Sequence, residues 1–173
     1  LIGLCMGSGA LFSLLFGEKD FERLRRFIAQ SFWMIGAVTL ALCAAAFLWI
    51  DPVLSLLRVP AEVYGLLRGY LRVILMGIPA VFLYNYFACL LRAVGDSLIP
   101  LVFLSISAVL NIALDLLFVA VWPMGVIGAA AATVIAQVIS GIGILVYTLL
   151  RRPELRVSSR HMRPDIAALR EIM

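Results

Sequence analysis

Long apolar segments alternate with short polar ones along this chain of 173 residues. Four apolar segments reach the roughly 20 residues that a helix needs to cross the hydrocarbon core of a bilayer. A fifth, at the start of the chain, is slightly shorter and is expected to be the end of a helix. The predicted spans are residues 1–16, 27–50, 70–91, 99–121 and 125–150. Because a backbone in lipid must satisfy its own hydrogen bonds, the pattern predicts an all-α integral membrane protein, a polytopic helix bundle.

The composition agrees with a membrane protein, since 64% of the residues are hydrophobic and 14% are charged. Soluble domains are about half apolar and a quarter charged. The arginines lie at the ends of the spans, so the net charge of +4 does not indicate a nucleic-acid partner. Cys5, Cys43 and Cys89 fall on different spans, and the only histidine, His161, lies in a basic loop. We therefore expect no cofactor and no metal centre built from these residues.

Lysine and arginine are concentrated in three of the predicted connections: residues 17–26, 92–98 and 151–173. The intervening connections, 51–69 and 122–124, contain few basic residues or none. The positive-inside rule places the basic connections in the cytoplasm. Trp49, Tyr70 and Trp122 then lie at the outer ends of their spans, where amphipathic aromatic rings are common. We expect a multi-pass protein of the plasma membrane.

Asp115 is the one ionisable acid or base inside the predicted span 99–121. Asn111 precedes it by one helical turn and therefore shares its helix face. At 1.5 Å per residue, Asp115 and Thr133 both lie roughly 9–12 Å below the outer boundary of their spans. The short connection 122–124 makes these two spans antiparallel neighbours, so we expect the three polar residues to meet at one depth.

Three interpretations of Asp115 are open: a structural acid bonded to Asn111, a residue lining a water-filled pore, or a group that binds and releases a cation. An ionised aspartate at the centre of a span costs about 2.5–3.5 kcal/mol, and such acids often mark ion paths. We favour the third interpretation, because desolvation makes the charge depend on which side admits water or a cation. Oxygen atoms of Asp115, Asn111 and Thr133 suit Na⁺, and the Asn111 amide could equally tune proton affinity. Both H⁺ and Na⁺ remain open.

Asn85 and Gln137 are further polar residues inside spans, and we predict that they contact a cavity or a substrate. Gly77 and Pro79 predict a flexible, kinked point in the span 70–91, because proline removes a backbone hydrogen bond. Small residues recur every four positions in the last span: Gly128, Ala132, Ala136 and Ser140. This stripe predicts close packing on the neighbouring span.

Four stretches of the chain carry a resemblance to a known family: GEKDFERLRR, LRAVGDSLIP, LNIALD and GVIGAAAAT. They occur in the order seen in multidrug and toxic compound extrusion (MATE) transporters, which the chain resembles over nearly its whole length. The resemblance implies a transporter of twelve helices in two lobes. The five spans would be helices two to six, and residues 151–173 would be a cytoplasmic linker toward a second lobe that is missing here.

The resemblance also implies a function, the export of lipophilic or cationic small molecules through the bilayer against entry of H⁺ or Na⁺. In one branch of the family, an ion site joins an acid on helix one, an Asn and an Asp one turn apart on helix five, and a Thr on helix six. Asn111, Asp115 and Thr133 match the last three in type and spacing. Asn85 is similar to another polar residue of the same cavity. The acid on helix one would lie upstream of this sequence.

The main alternative is a flippase or exporter of lipid-linked saccharides or polysaccharides in the same superfamily. This alternative is disfavoured because an anionic lipid head group would need basic residues inside the spans. The only arginine there is Arg72, which lies near an interface. An intramembrane enzyme would need a second acid, a pair of histidines or a serine with a base in the spans. A channel or scaffold subunit would be favoured by flux that does not depend on an ion gradient. We therefore expect a secondary active transporter and not an enzyme.

Overall fold

The computed structural model describes residues 2–155. Its five α-helices are α1 (Ile2–Gly17), α2 (Phe21–Leu56), α3 (Ala61–Ala93), α4 (Leu98–Asp115) and α5 (Gly125–Arg151). A π-helical segment, Leu116–Val121, continues α4, and a short 3₁₀ turn, Pro153–Leu155, follows α5. No strand occurs in residues 2–155. The all-α helix bundle is confirmed, with α2, α3, α5 and the α4–π unit long and apolar enough to cross a membrane.

The helices are longer than the apolar spans that they contain. α2 begins at Phe21, inside the predicted connection 17–26, and the predicted connection 51–69 is reduced to residues 57–60. Hydrophobicity marks only the part of a helix that lies in lipid, whereas the backbone hydrogen bonds continue into the interface until a cap ends them. Asp20 provides such a cap, because its carboxylate accepts from the backbone N–H of Arg23 at 3.0 Å. Residues 156–173, which include most of the predicted linker, lie outside the described residues.

Aromatic side chains form the core where α1, α2 and α3 meet. Tyr86 is fully buried, and its ring lies edge-on to Phe12 and Phe32 at centroid distances of 5.9 and 5.2 Å. Its hydroxyl is also satisfied, since it lies 2.8 Å from Ser31 Oγ and 2.7 Å from the carbonyl oxygen of Ile28. Packing and a completed hydrogen-bond network therefore hold this end of α3 to α2.

Two glycines let the backbones of α3 and α5 approach closely. A Cβ atom on Gly141 would lie 2.9 Å from the carbonyl oxygen of Ala80, and one on Gly77 would lie 2.8 Å from Val134 Cγ2. Gly77 is therefore buried at a contact between helices, and its role as a flexible point stays a prediction. Pro79, two residues later, does not interrupt α3, which is one helix from Ala61 to Ala93.

The basic connections gather at one end of the bundle, as their alternation along the chain predicts. Arg25 Nε donates to the carbonyl oxygen of Glu154 at 2.8 Å, which joins the start of α2 to the turn after α5. Arg152 donates to Asp96 at 2.7 Å, which joins that turn to the α3–α4 connection. This hydrogen bond raises the pKa of Arg152 above its ordinary value. At the opposite end of the bundle, the carboxylate of Asp51 accepts hydrogen bonds from two side chains of α3.

Candidate functional site

Asn111 and Thr133 meet across the contact between α4 and α5. The Nδ2 atom of Asn111 donates to Thr133 Oγ1 at 3.3 Å, and Thr133 Oγ1 donates to the carbonyl oxygen of Ala129, one turn earlier on α5, at 3.0 Å. The threonine hydroxyl is therefore shared between its own helix and the neighbouring one. This arrangement leaves the amide oxygen of Asn111 as an acceptor for a further partner.

Asp115 lies one turn farther along α4, at the point where the α-helix ends. The residue is half-buried, and its Oδ1 atom is buried and accepts no hydrogen bond within residues 2–155. Within residues 2–155 no hydrogen bond joins Asp115 to Asn111, which the interpretation of Asp115 as a structural acid bonded to Asn111 requires; the amide donates to Thr133. Leaving a buried acceptor unpaired costs about 1–3 kcal/mol.

A π-helix follows Asp115 directly and was not predicted from the sequence. Its wider turns are seen in the bond from the backbone N–H of Trp122 to the carbonyl oxygen of Leu117, five residues earlier, at 2.8 Å. Gly128 of α5 allows this segment to approach, since a Cβ atom there would lie 3.1 Å from Phe118 Cβ. Single π-turns are rare and often lie at functional sites. The only feature of the sequence that indicated a close approach at this segment was Gly128, which begins the small-residue stripe.

The small-residue stripe of α5 packs on α4, as predicted. Ser140 Oγ donates to the carbonyl oxygen of Phe103 at 3.0 Å, and Ser107 Oγ donates to the carbonyl oxygen of Ala136 at 3.2 Å. These bonds cross the interface in both directions. The two backbones therefore lie close together along the same contact that brings Asn111 to Thr133.

A cavity of about 260 Å³ opens between α3, α4 and α5. Its lining residues are Val81, Tyr84, Asn85, Leu104, Ser107, Gln137 and Ser140. The structure thus brings together Asn85 and Gln137, the two predicted cavity residues. Ser107, Ser140 and Tyr84 were not predicted as cavity residues, because serine and tyrosine are common in membrane helices and only the packing shows which of them face one space. We call this space the polar cavity.

A line of polar side chains connects the polar cavity with Asp115. Ser107, Asn111 and Asp115 follow one another at intervals of one turn on α4, and Thr133 and Gln137 do the same on α5. Ser107 to Asp115 covers eight residues, which is about 12 Å along a helix. We call these five side chains the polar seam. Among residues 2–155, no cluster of three acidic, histidine or cysteine side chains could hold a metal ion, so a cation at Asp115 would depend on neutral oxygen atoms of the seam.

Comparison with known proteins gives consistent similarities. The MatE family model matches residues 1–117. The probable multidrug resistance protein YpnP of Bacillus subtilis is 32% identical over 149 residues, which are 86% of this chain and 34% of that protein. The multidrug export protein MepA of Staphylococcus saprophyticus is 27% identical over 96% of this chain and 37% of its own length. The chain therefore spans about a third of the length of these relatives.

A solved structure has the same fold. It is a MOP superfamily transporter from Pyrococcus furiosus, with a TM-score of 0.89 over 99% of this chain and 38% of that chain. The sequence identity is 24%, so this likeness shows the arrangement of helices and nothing finer.

Proposed function

The chain belongs to the MatE family, and from this premise we propose that it forms part of a cation-coupled exporter of lipophilic or cationic drugs. It is a multi-pass protein of the plasma membrane, with four helical segments long enough to span it. Two of its relatives are named as a multidrug resistance and a multidrug export protein. Since the chain spans about a third of their length, transport is an activity of the whole protein.

One observation carries the proposal: the buried Oδ1 atom of Asp115 has no hydrogen-bond partner in the described part of the chain. In a bilayer, an unpaired carboxylate is costly unless its protonation or a bound cation offsets the desolvation. Asp115 is bound to no side chain that would have to be displaced, so a proton or Na⁺ can reach and leave it. Such exchange is the requirement of ion coupling.

The hydrogen bond between Asn111 and Thr133 supports a coordinating role for the neighbouring residues. It orients the Asn111 side chain so that the amide nitrogen is occupied by Thr133. The amide oxygen remains for a cation, one turn from the Asp115 carboxylate. Carboxylate, amide and hydroxyl oxygens are ligands that hard cations accept. A proton on Asp115 would need only the carboxylate, so both coupling ions fit the same residues.

The polar cavity supports a cationic or neutral substrate more than an anionic one. Its polar lining consists of hydroxyl and amide groups, and no arginine or lysine is among the lining residues. A lipid-linked saccharide carries a phosphate group, which basic side chains would have to neutralise. This observation favours drug export over the flippase alternative.

Ion binding at Asp115 and substrate binding in the polar cavity are coupled because the two lie a short distance apart along the polar seam. Loading Asp115 changes the charge at one end of the polar seam, and the cavity lies at the other end, about 12 Å away at 1.5 Å per residue. A cationic substrate is held better when Asp115 is ionised and is released when a proton or Na⁺ neutralises it. Alternating access of the site to the two sides then converts ion entry into drug export.

The test is the Asp115→Asn variant in the full-length protein, with dye efflux measured at matched expression. Efflux is expected to fall to the background of cells without the transporter, because asparagine keeps the shape but cannot exchange a proton. Glu62→Gln is the matched control, since Glu62 is an exposed acid in the first turn of α3 and its removal should leave efflux unchanged. Collapse of wild-type efflux by a proton or sodium ionophore identifies the ion. Undiminished efflux by Asp115→Asn would show that this carboxylate has no part in coupling.

A further inference from the structure

An apolar groove runs along α2 beside α3. It consists of two adjoining depressions of about 450 and 200 Å³, which share Phe32 and Trp33. The larger one extends along α2 to Leu40, and the smaller one extends to Ile28 and to Leu155, after α5. The two depressions together are called the apolar groove.

The apolar groove and the polar cavity lie on opposite sides of α3. On α3 the groove is lined by Pro79, Ala80, Phe82, Leu83, Tyr86 and Phe87, and the cavity is lined by Val81, Tyr84 and Asn85. At 3.6 residues per turn, the centres of these two sets lie on opposite sides of the helix. The groove and the polar cavity therefore open on different sides of α3 and share no lining residue.

The length and position of the apolar groove match one leaflet of a bilayer. From Ile28 to Leu40 the groove follows twelve residues of α2, which is about 18 Å at 1.5 Å per residue. One leaflet contributes about 15 Å, half of the hydrocarbon core. The groove begins at the end of the bundle where the basic connections gather and ends near the middle of the span. A single acyl chain from that leaflet fits this space.

Basic side chains of α2 lie at the end of the apolar groove where the basic connections gather. Arg25 is held there by the carbonyl oxygens of Glu154 and Pro153. Arg26 is exposed and has no hydrogen bond or ion pair within residues 2–155. Two turns farther along α2, on the same line, lies Trp33, which is 63% exposed. An exposed guanidinium above an apolar channel is complementary to an anionic head group above an acyl chain.

We propose that the apolar groove binds an anionic phospholipid of the leaflet on the basic side of the protein. The acyl chain lies along Phe32 and Trp33, and the phosphate lies at the exposed guanidinium of Arg26. This lipid site is distinct from the polar cavity, because the two share no lining residue.

The experiment uses the tryptophan that lines the apolar groove as its reporter. The full-length protein is reconstituted in vesicles, and phosphatidylglycerol or phosphatidylcholine with brominated acyl chains is titrated in. The Trp33 signal is obtained by subtracting the fluorescence of Trp33→Phe. Quenching of this signal is expected to saturate at a lower mole fraction of the anionic lipid than of the zwitterionic one. Quenching that follows the bulk mole fraction equally for both lipids, or no quenching at all, would overturn the proposal.

Two pairs of variants test the two ends of the lipid. Gly36→Leu places a side chain in the groove, where a Cβ atom would lie at an ordinary 3.5 Å from the Phe82 ring. It should abolish the saturable quenching, whereas Gly65→Leu, with nothing within 4 Å of its Cβ atom, should not. Arg26→Gln should weaken the preference for the anionic lipid about fivefold, the contribution of one arginine near an anionic surface.

Arg151→Gln is the control for Arg26→Gln, since Arg151 is exposed at the same end of the bundle but ends α5, whereas Arg26 lies on α2 in line with Trp33. It should leave the preference unchanged. Equal effects of the two arginine variants would show that general surface charge, and not the groove, attracts the lipid, and would overturn the assignment of the head group.

Discussion

Tyr86 and Asp115 place a polar group in two opposite environments inside the bundle. The Tyr86 hydroxyl is fully buried and has partners in Ser31 and in the carbonyl oxygen of Ile28. The Oδ1 atom of Asp115 is also buried, yet it has no partner in residues 2–155. A satisfied group rigidifies the helices around it, whereas an unsatisfied one stays free to bind. The difference separates a region around α2 and α3, where the buried polar group is bonded, from a region between α4 and α5, where one buried acceptor has no partner in residues 2–155.

The largest expected effect is on dye efflux, in which Asp115→Asn and Tyr86→Phe should differ most. Asp115→Asn should abolish efflux without lowering the thermal unfolding temperature, because the replaced oxygen has no bond to lose. Tyr86→Phe should retain efflux. Dye efflux and thermal unfolding of the same purified proteins check both statements. A fall in stability for Asp115→Asn would mean that the acid is structural, and the comparison would fail.

Gly141→Val should cause the largest loss of stability. Its Cβ atom would lie 2.9 Å from the carbonyl oxygen of Ala80, so α3 and α5 must move apart. Overpacking of this kind costs about 1–3 kcal/mol. Gly65→Val is the control, because its Cβ atom meets nothing within 4 Å. Equal unfolding temperatures for the two variants would show that the close contact of α3 and α5 is not needed.

Tyr86→Phe should lower stability by about 0.5–1.5 kcal/mol, the usual net contribution of a hydrogen bond. Ser31 keeps its bond to the carbonyl oxygen of Phe27 at 2.7 Å, so no buried donor is left unpaired. Chemical unfolding of the reconstituted protein measures the loss. No change would indicate that packing of the aromatic rings alone holds α3 to α2.

Thr133→Val removes the hydroxyl that accepts from Asn111 and should cost about 0.6 kcal/mol, the average for a hydrogen bond between membrane helices. We also expect a change in the dependence of efflux on the coupling ion, since the Asn111 amide loses its fixed orientation. Efflux measured against external pH and Na⁺ concentration checks this. Unchanged ion dependence would exclude Thr133 from the ion site.

Arg152→Gln should also have a small effect on stability, at most about 1 kcal/mol, because the pair with Asp96 is partly exposed. The hydrogen bond to Asp96 raises the pKa of Arg152 above its ordinary value. The stabilisation by its charge is therefore fully present below the ordinary pKa and is lost only as the pH rises through the raised pKa. Between pH 7 and 9, the difference in unfolding free energy between wild type and Arg152→Gln should stay constant.

Part of the site could be predicted from spacing alone. Asn111 and Asp115 had to share a face because they are one turn apart, and Thr133 had to reach their depth because a short connection joins the two spans. Asn85 and Gln137 were recognisable as polar residues inside apolar spans, and both line the polar cavity. The donor in the Asn111–Thr133 bond could not be predicted, because an amide offers both donors and an acceptor.

The sequence by itself determined the spans, the helical class and the gathering of the basic connections at one end. These properties depend on the transfer free energy of each residue and on the period of the helix, so they can be read locally. Only the tertiary structure decided that Gly77 lies against Val134, that a π-helix follows Asp115, and that a groove opens behind the polar cavity. Each of these depends on which helix faces which and at what distance, and uniformly apolar surfaces leave that choice to the packing of the whole bundle.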